Sequence, residues 1–182
     1  MNQVRVLGIA GWSGSGKTTL IVRLLPVLAR GGMRIATLKH AHHSFDVDEP
    51  GKDSFKHRQA GASEVIVSSP RRWVQMHELR EAPEATLPEL LARVSACELI
   101  LVEGFKTHPH PKLEVFRAAL GKRPLHPADP NFLAVASDTG LPEARVPVVD
   151  LNDIEAVASL VRSLALPLPE VLRRLTAAGN PT

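Results

Sequence analysis

Near the N-terminus the run Gly11-Trp12-Ser13-Gly14-Ser15-Gly16-Lys17-Thr18 fits G-x-x-x-x-G-K-[ST] at every fixed position. The chemistry of that spacing is anion binding. Glycines let successive backbone N–H groups turn inward with no Cβ in the way. Together with the start of a following helix they make a concave, positive site. Lys17 is long enough to reach the β- and γ-phosphates of a nucleoside triphosphate, and the Thr18 hydroxyl is a ligand for Mg²⁺. Gly11, Ser13, Gly14, Ser15, Gly16, Lys17, Thr18 and Thr19 are therefore the candidate phosphate-binding residues.

Such a site needs an acid at the end of an apolar strand. Leu99-Ile100-Leu101-Val102-Glu103 supplies one. A carboxylate at Glu103 holds Mg²⁺, usually through water, or orients a nucleophilic water, so Lys17 and Glu103 are the candidate catalytic pair. A polar stretch from Lys39 to Ala62 holds His40, His42, His43 and His57 with Asp46, Asp48 and Asp53. It reads as a solvated loop, as a metal site, or as a switch segment next to the phosphates. No cysteine helps a zinc site and the spacing fits no zinc pattern. In the switch reading Asp48 or Asp46 approaches Mg²⁺, and a His or Lys, with Lys39 and His40 the candidates, approaches the γ-phosphate or a partner's anionic ligand. Thr18, Asp48 and Glu103 are then the candidate metal ligands.

Base choice is open at this level. The guanine-reading signal Asn-Lys-x-Asp is absent. Asp138 follows a late strand, where its carboxylate could accept from guanine N1 and the N2 amino group. Adenine offers no such donor pair. Asp138 is equally readable as a turn residue before Gly140. Arg71-Arg72 and the basic residues between Arg117 and Arg123 read as surface charge or as contacts to a phosphorylated ligand. Trp73 and Phe105 read as packing residues.

The elements that must position these groups follow from periodicity. Residues 4–10 are an apolar strand, and 17–30 a helix with Leu20, Leu24, Val27 and Leu28 on one face, ended by Gly31-Gly32. Further strands are expected at 33–39, 64–68, 73–79, 99–102, 113–116, 132–136 and 146–149. Helices are expected at 54–60 with Asp53 as N-cap, at 87–94, and from Asn152 or Asp153 to about 166. Segments 73–79 and 113–116 alternate and are expected half exposed, able to extend a sheet across a two-fold axis. The pattern predicts one three-layer α/β domain over 1–166, with a mostly parallel sheet plus extra antiparallel strands. Residues 167–182 are expected as a tail carrying a short, loosely held helix.

Composition sets outer bounds. The chain has 182 residues, enough for one domain with a sizeable core. A net charge of +3 does not mark a nucleic-acid binder. Cys97 is the only cysteine, so no internal disulfide forms, and its place before an apolar strand suits a small buried hydrophobe. The sequence shows no signal peptide and no apolar run of membrane length, so a cytoplasmic protein with no membrane partner is expected.

The chain resembles the molybdopterin-guanine dinucleotide biosynthesis protein B (MobB) family. The likeness lies in Gly11–Leu20 (GWSGSGKTTL), Leu38–Ser54 (LKHAHHSFDVDEPGKDS), Arg58–Ala62 (RQAGA), Leu99–Lys106 (LILVEGFK), Ala134–Asp138 (AVASD) and Val148–Glu155 (VVDLNDIE). The His/Asp segment is the specific part, since many families share the phosphate loop. The resemblance implies a homodimeric P-loop GTPase that hydrolyses GTP slowly. It also implies an adaptor role beside the guanylyltransferase that joins GMP to molybdopterin; direct molybdopterin binding is left open. Two rivals stand beside it. One is an ATP-dependent small-molecule kinase with an Arg-bearing lid at 117–123. The other is a metallochaperone-like GTPase carrying a metal on its His-rich loop.

Overall fold

Val6, Leu7, Ile9 and Ala10 have no solvent exposure, and the sheet is built around the strand that carries them. The computed structural model describes residues 3–41 and 45–178. In chain order the elements are β1 (Arg5–Ala10), α1 (Lys17–Leu28), β2 (Ile35–Lys39), α2 (Asp53–Gln59), β3 (Glu64–Ser68), β4 (Trp73–His77), α3 (Leu87–Ala92), β5 (Leu99–Glu103), β6 (Lys112–Phe116), β7 (Phe132–Ser137), β8 (Val148–Asp150), α4 (Ile154–Leu164), β9 (Leu166–Pro167) and α5 (Leu168–Ala177). They form two units: residues 1–40 with 86–182, and residues 41–85.

In the larger unit the strands run in the order β2-β5-β1-β6-β7-β8, each parallel to its neighbour. Alternation along β1 divides the core. Leu7 and Ile9 pack with Leu20, Leu24 and Leu28 of α1 and Val157 and Val161 of α4. Val6 packs with Ile100 and Val102 of β5, Leu87 and Leu91 of α3, and Val171 and Leu175 of α5. Each such side chain contributes about 1.5–3 kcal/mol by leaving water. Caps fix the helix starts. Thr86 and Glu89 form a reciprocal capping box on α3, and the Asp153 carboxylate accepts from Ala156 N on α4. This three-layer α/β arrangement with a mostly parallel sheet is the fold of P-loop NTPases.

Three expectations are corrected. β6 is no half-exposed strand: it lies between β1 and β7 and is buried throughout. Its alternating charges, Lys112 and Glu114, are both fully buried and hydrogen-bonded. The C-terminal helix is not loosely held. β9 pairs antiparallel with the start of β1, Val6 opposite Leu166, and Val171 of α5 is fully buried. Asp53 is the first residue of α2 rather than its cap, and Lys52 holds the N-cap position with no side-chain bond.

The smaller unit is an antiparallel β3–β4 hairpin with α2. Glu64 faces His77, and Ser68 faces Trp73. Among its described residues only Val65 and Met76 are buried hydrophobes, and α2 buries none. Polar contacts compensate. The Arg58 guanidinium donates to Asp46 at 2.8 Å, Asp48 at 3.1 Å and Glu78 at 2.6 Å.

Candidate nucleotide site

The loop after β1 folds as its glycines require. A Cβ on Gly11 would come within 2.4 Å of the Val115 carbonyl oxygen and 2.8 Å of Ser15 Oγ. Gly16 is the N-cap of α1 at φ 93°, in the left-handed region that side chains disfavour. α1 begins with no side-chain cap and no acidic residue in its first turn. Its positive end thus carries no internal carboxylate, which suits an external anion. Ser15 Oγ is buried and has no hydrogen-bond partner among the described residues.

Lys17 Nζ donates to the carbonyls of Gly11 at 3.1 Å and Trp12 at 2.9 Å, so it lies over its own loop. Burial pushes its ammonium below the ordinary lysine range; Glu103 opposes the shift, while Lys39 and Lys106 add to it. Ser13 and Thr19 are exposed on either side of the loop.

Parallel pairing of β1 with β5 puts Ile9 opposite Glu103, bringing that carboxylate to the phosphate loop. Thr18 Oγ1 donates to Glu103 Oε1 at 2.7 Å. Lys39, at the end of β2, completes the group: its Nζ lies 3.2 Å from Thr18 Oγ1 and 3.2 Å from Glu103 Oε1. His40 N donates to the Glu103 carbonyl at 2.9 Å, and its ring stacks on Phe105 at 4.6 Å. A hydroxyl and a carboxylate that converge, already attended by one cation, form the hard oxygen donor pair that fits Mg²⁺.

Asp138 stands on the same edge of the sheet, after β7. It lines a cleft of about 510 Å³ with Ser137, Thr139, Gly140, Val149 and Asp150. Its Oδ1 accepts from Ala118 N at 3.1 Å, and its Oδ2 lies 3.7 Å from Arg117 Nη1.

The structure thus gathers Gly11–Thr18 with Lys39, His40 and Glu103. Asp46 and Asp48 belong to the smaller unit, where Arg58 and Ser54 occupy the Asp48 carboxylate. His42 and His43 lie outside the described residues. Among the described residues no three His, Cys, Asp or Glu side chains group as a metal-ligand set.

Two loop residues escaped individual assignment in the sequence. Arg117 Nε donates to the Ser15 carbonyl at 3.0 Å, and Lys106 Nζ sits 4.6 Å from the centroid of the Trp12 ring. Their signal was available: each follows shortly after a strand that ends on the phosphate side.

Fold and loop together define a P-loop NTPase-class protein. The family model for molybdopterin guanine dinucleotide synthesis protein B (MobB) matches residues 6–138, and the chain belongs to that family. It is 44% identical to the molybdopterin-guanine dinucleotide biosynthesis adapter protein of Escherichia coli over 161 residues, 87% of this chain and 91% of that protein. It is 39% identical to the protein of the same description from Haemophilus influenzae, over 89% of this chain and 90% of that one. A crystal structure of molybdopterin-guanine biosynthesis protein B superposes with a TM-score of 0.69 at 28% identity, covering 87% of this chain and 97% of that chain.

Proposed function

We propose that this chain is a GTP-binding adapter in molybdopterin guanine dinucleotide biosynthesis, working beside the guanylyltransferase that joins GMP to molybdopterin. The carrying observation is the Thr18–Glu103 hydrogen bond under the phosphate loop, flanked by Lys17 and Lys39. The 44% identity to an E. coli protein described as an adapter supports the pathway.

In this reading the loop amides and Lys17 hold the phosphates, with Lys17 exchanging two carbonyl partners for phosphate oxygens. Thr18 and Glu103 hold Mg²⁺, which when bound offsets phosphate charge. The Asp138 carboxylate accepts from the guanine N1 and N2 groups. Hydrolysis is slow, because Glu103 is engaged by Thr18 and Lys39 rather than poised as a base. The active form is a cytoplasmic homodimer; among the described residues no helix is long and apolar enough to cross a membrane.

The test is equilibrium binding of GTP and ATP with Mg²⁺, paired with co-purification of the guanylyltransferase with and without GTP. Guanine preference and nucleotide-dependent retention of the partner are expected. Lys17→Ala should weaken GTP binding by about 100-fold while leaving the fold intact, since it removes a cation facing phosphates. Preference for ATP with phosphoryl transfer to a small acceptor would make the chain a kinase instead.

A further inference from the structure

We propose that Arg117 couples the phosphate loop to base selection by fixing the carboxylate of Asp138. The proposal rests on the GTP-binding reading above and adds a specificity-positioning residue to it.

The topology puts Arg117 where coupling is possible. β6 lies between β1 and β7, so the residue leaving β6 stands between the loop after β1 and the loop after β7. The register is direct: Phe116 pairs with Ser137, so the next residues on the two strands are Arg117 and Asp138. One guanidinium then serves both sides. Its Nε donates to the Ser15 carbonyl at 3.0 Å, and its Nη1 lies 3.7 Å from Asp138 Oδ2. The neighbouring amide, Ala118 N, donates to Asp138 Oδ1 at 3.1 Å. Consecutive residues thereby face the two oxygens of one carboxylate, residue 118 by a hydrogen bond and residue 117 by an ion pair.

A carboxylate has about four acceptor positions. One is taken by the Ala118 amide, the Arg117 guanidinium adds an ion-pair contact at 3.7 Å, and the rest remain for a ligand in the cleft that Asp138 lines. The chemistry that fits is a planar pair of N–H donors, such as guanine N1 and N2. A free aspartate would lose rotamer freedom on binding; a braced one does not. Lysine cannot substitute for the arginine, because an ammonium is one point charge whereas the guanidinium is a planar fork with separated donors. Gly16 belongs to the same device: a Cβ there would lie 3.3 Å from Arg117 Nε, so the glycine makes room for the guanidinium.

The experiment measures equilibrium affinity for GTP, ITP and ATP with Mg²⁺, using the full chain and its R117A, R117K and D138N variants. ITP lacks the N2 amino group, so it reads that contact alone. The unmodified chain should bind in the order GTP, ITP, ATP. D138N should lose the order. R117A and R117K should each narrow the GTP-to-ATP ratio by about tenfold, with the fold retained, since the Arg117 side chain is 38% exposed. If R117A binds neither nucleotide measurably, R117K reads the ratio. Equal weakening of GTP and ATP in the variants, with the ratio kept within about twofold, would reduce Arg117 to a brace on the loop and overturn the coupling alone. Equal binding of all three nucleotides by the unmodified chain would overturn the guanine reading and the coupling together.

Discussion

Thr18 and Glu103 are 85 positions apart in sequence and meet at 2.7 Å, hydroxyl to carboxylate. Neither gains its role from local structure. Thr18 sits in the first turn of α1, and Glu103 ends β5. The parallel register of β1 and β5 brings them together. Glu103→Gln keeps the shape and an acceptor but removes the charge. Hydrolysis with Mg²⁺ should fall about 100-fold while GTP affinity changes less than about threefold. Single-turnover hydrolysis and calorimetric titration, each with and without Mg²⁺, check this. Equal loss of binding and hydrolysis would place Glu103 in ground-state binding instead.

Lys39 puts its ammonium at the same hydroxyl–carboxylate pair, 3.2 Å from each partner. A cation held there competes with a divalent ion for the same oxygens. Lys39→Met should therefore lower the Mg²⁺ concentration that half-saturates the nucleotide complex, by about threefold to tenfold at moderate salt for an exposed ammonium beside a buried carboxylate. Titrating Mg²⁺ at fixed nucleotide gives the number. A higher Mg²⁺ requirement in the variant would mean that Lys39 assists the metal rather than competes with it.

The parts legible in the sequence were those with unbroken local signals. Strand 4–10, the glycine-rich loop and the helix after it carry a continuous apolar run, a spacing motif and a 3.6-residue period, and each appears nearly in place. β6 was misread for a physical reason. Alternating charges normally mean a solvated face, but Lys112 and Glu114 face protein and find their partners in non-periodic loops that no sequence period reveals. A helix after residue 167 was legible, but its firm docking was not, because Pro167 and Pro169 resemble the breakers of a loose tail. Pro167 instead ends β9 and serves as the helix N-cap, and Pro169 occupies the first turn, where no donor is missed. Arg117 was visible as charge, but its bond to Ser15 depends on strand order.

The smaller unit should be sensitive to acid. Hydrogen bonding from Arg58 holds the Asp46 carboxyl below its ordinary range. At Asp48 burial opposes ionisation, and hydrogen bonds from Ser54 and Arg58 outweigh it. Both groups bind protons more weakly when folded than when unfolded. Their contribution is complete above the ordinary aspartate value of 3.8 and is lost as pH falls through the lower folded values. Hydrogen exchange from pH 6 down to about pH 3 should show protection fading in residues 53–77 before the β1–β5 core. Arg58→Met should produce the same selective loss at neutral pH. Uniform loss across the whole chain would contradict this.

Lys112 carries the last prediction. Its side chain has no exposure, and its Nζ donates to the Lys106 carbonyl at 2.8 Å, the His108 carbonyl at 2.7 Å and Asp129 Oδ2 at 2.6 Å. Two strand positions on, Glu114 accepts from Leu125 N at 2.7 Å and His126 N at 2.9 Å. The two charges thus fasten residues 105–111 and 118–131 over one face of β6. Both loops reach the phosphate loop: Lys106 lies over the Trp12 ring, and Trp12 Nε1 donates to the Arg123 carbonyl at 2.9 Å. Lys112→Met leaves Asp129 without its cation. Because the Asp129 side chain is 25% exposed, the cost should fall at the low end for a broken buried pair, about 3 kcal/mol. Burial holds the Lys112 ammonium below the ordinary lysine range, with Asp129 opposing that shift. The folded chain therefore releases this proton at lower pH than the unfolded chain does. Between those two values the unfolded state binds more protons, so stability rises with pH just below 10.5, the ordinary lysine value. Denaturant titrations across the alkaline range should show that rise in the unmodified protein and its absence in Lys112→Met. Asp129→Asn combined with Lys112→Met should cost at least about 1 kcal/mol less than the sum of the single changes. Strict additivity would mean that the two residues hold their loops independently.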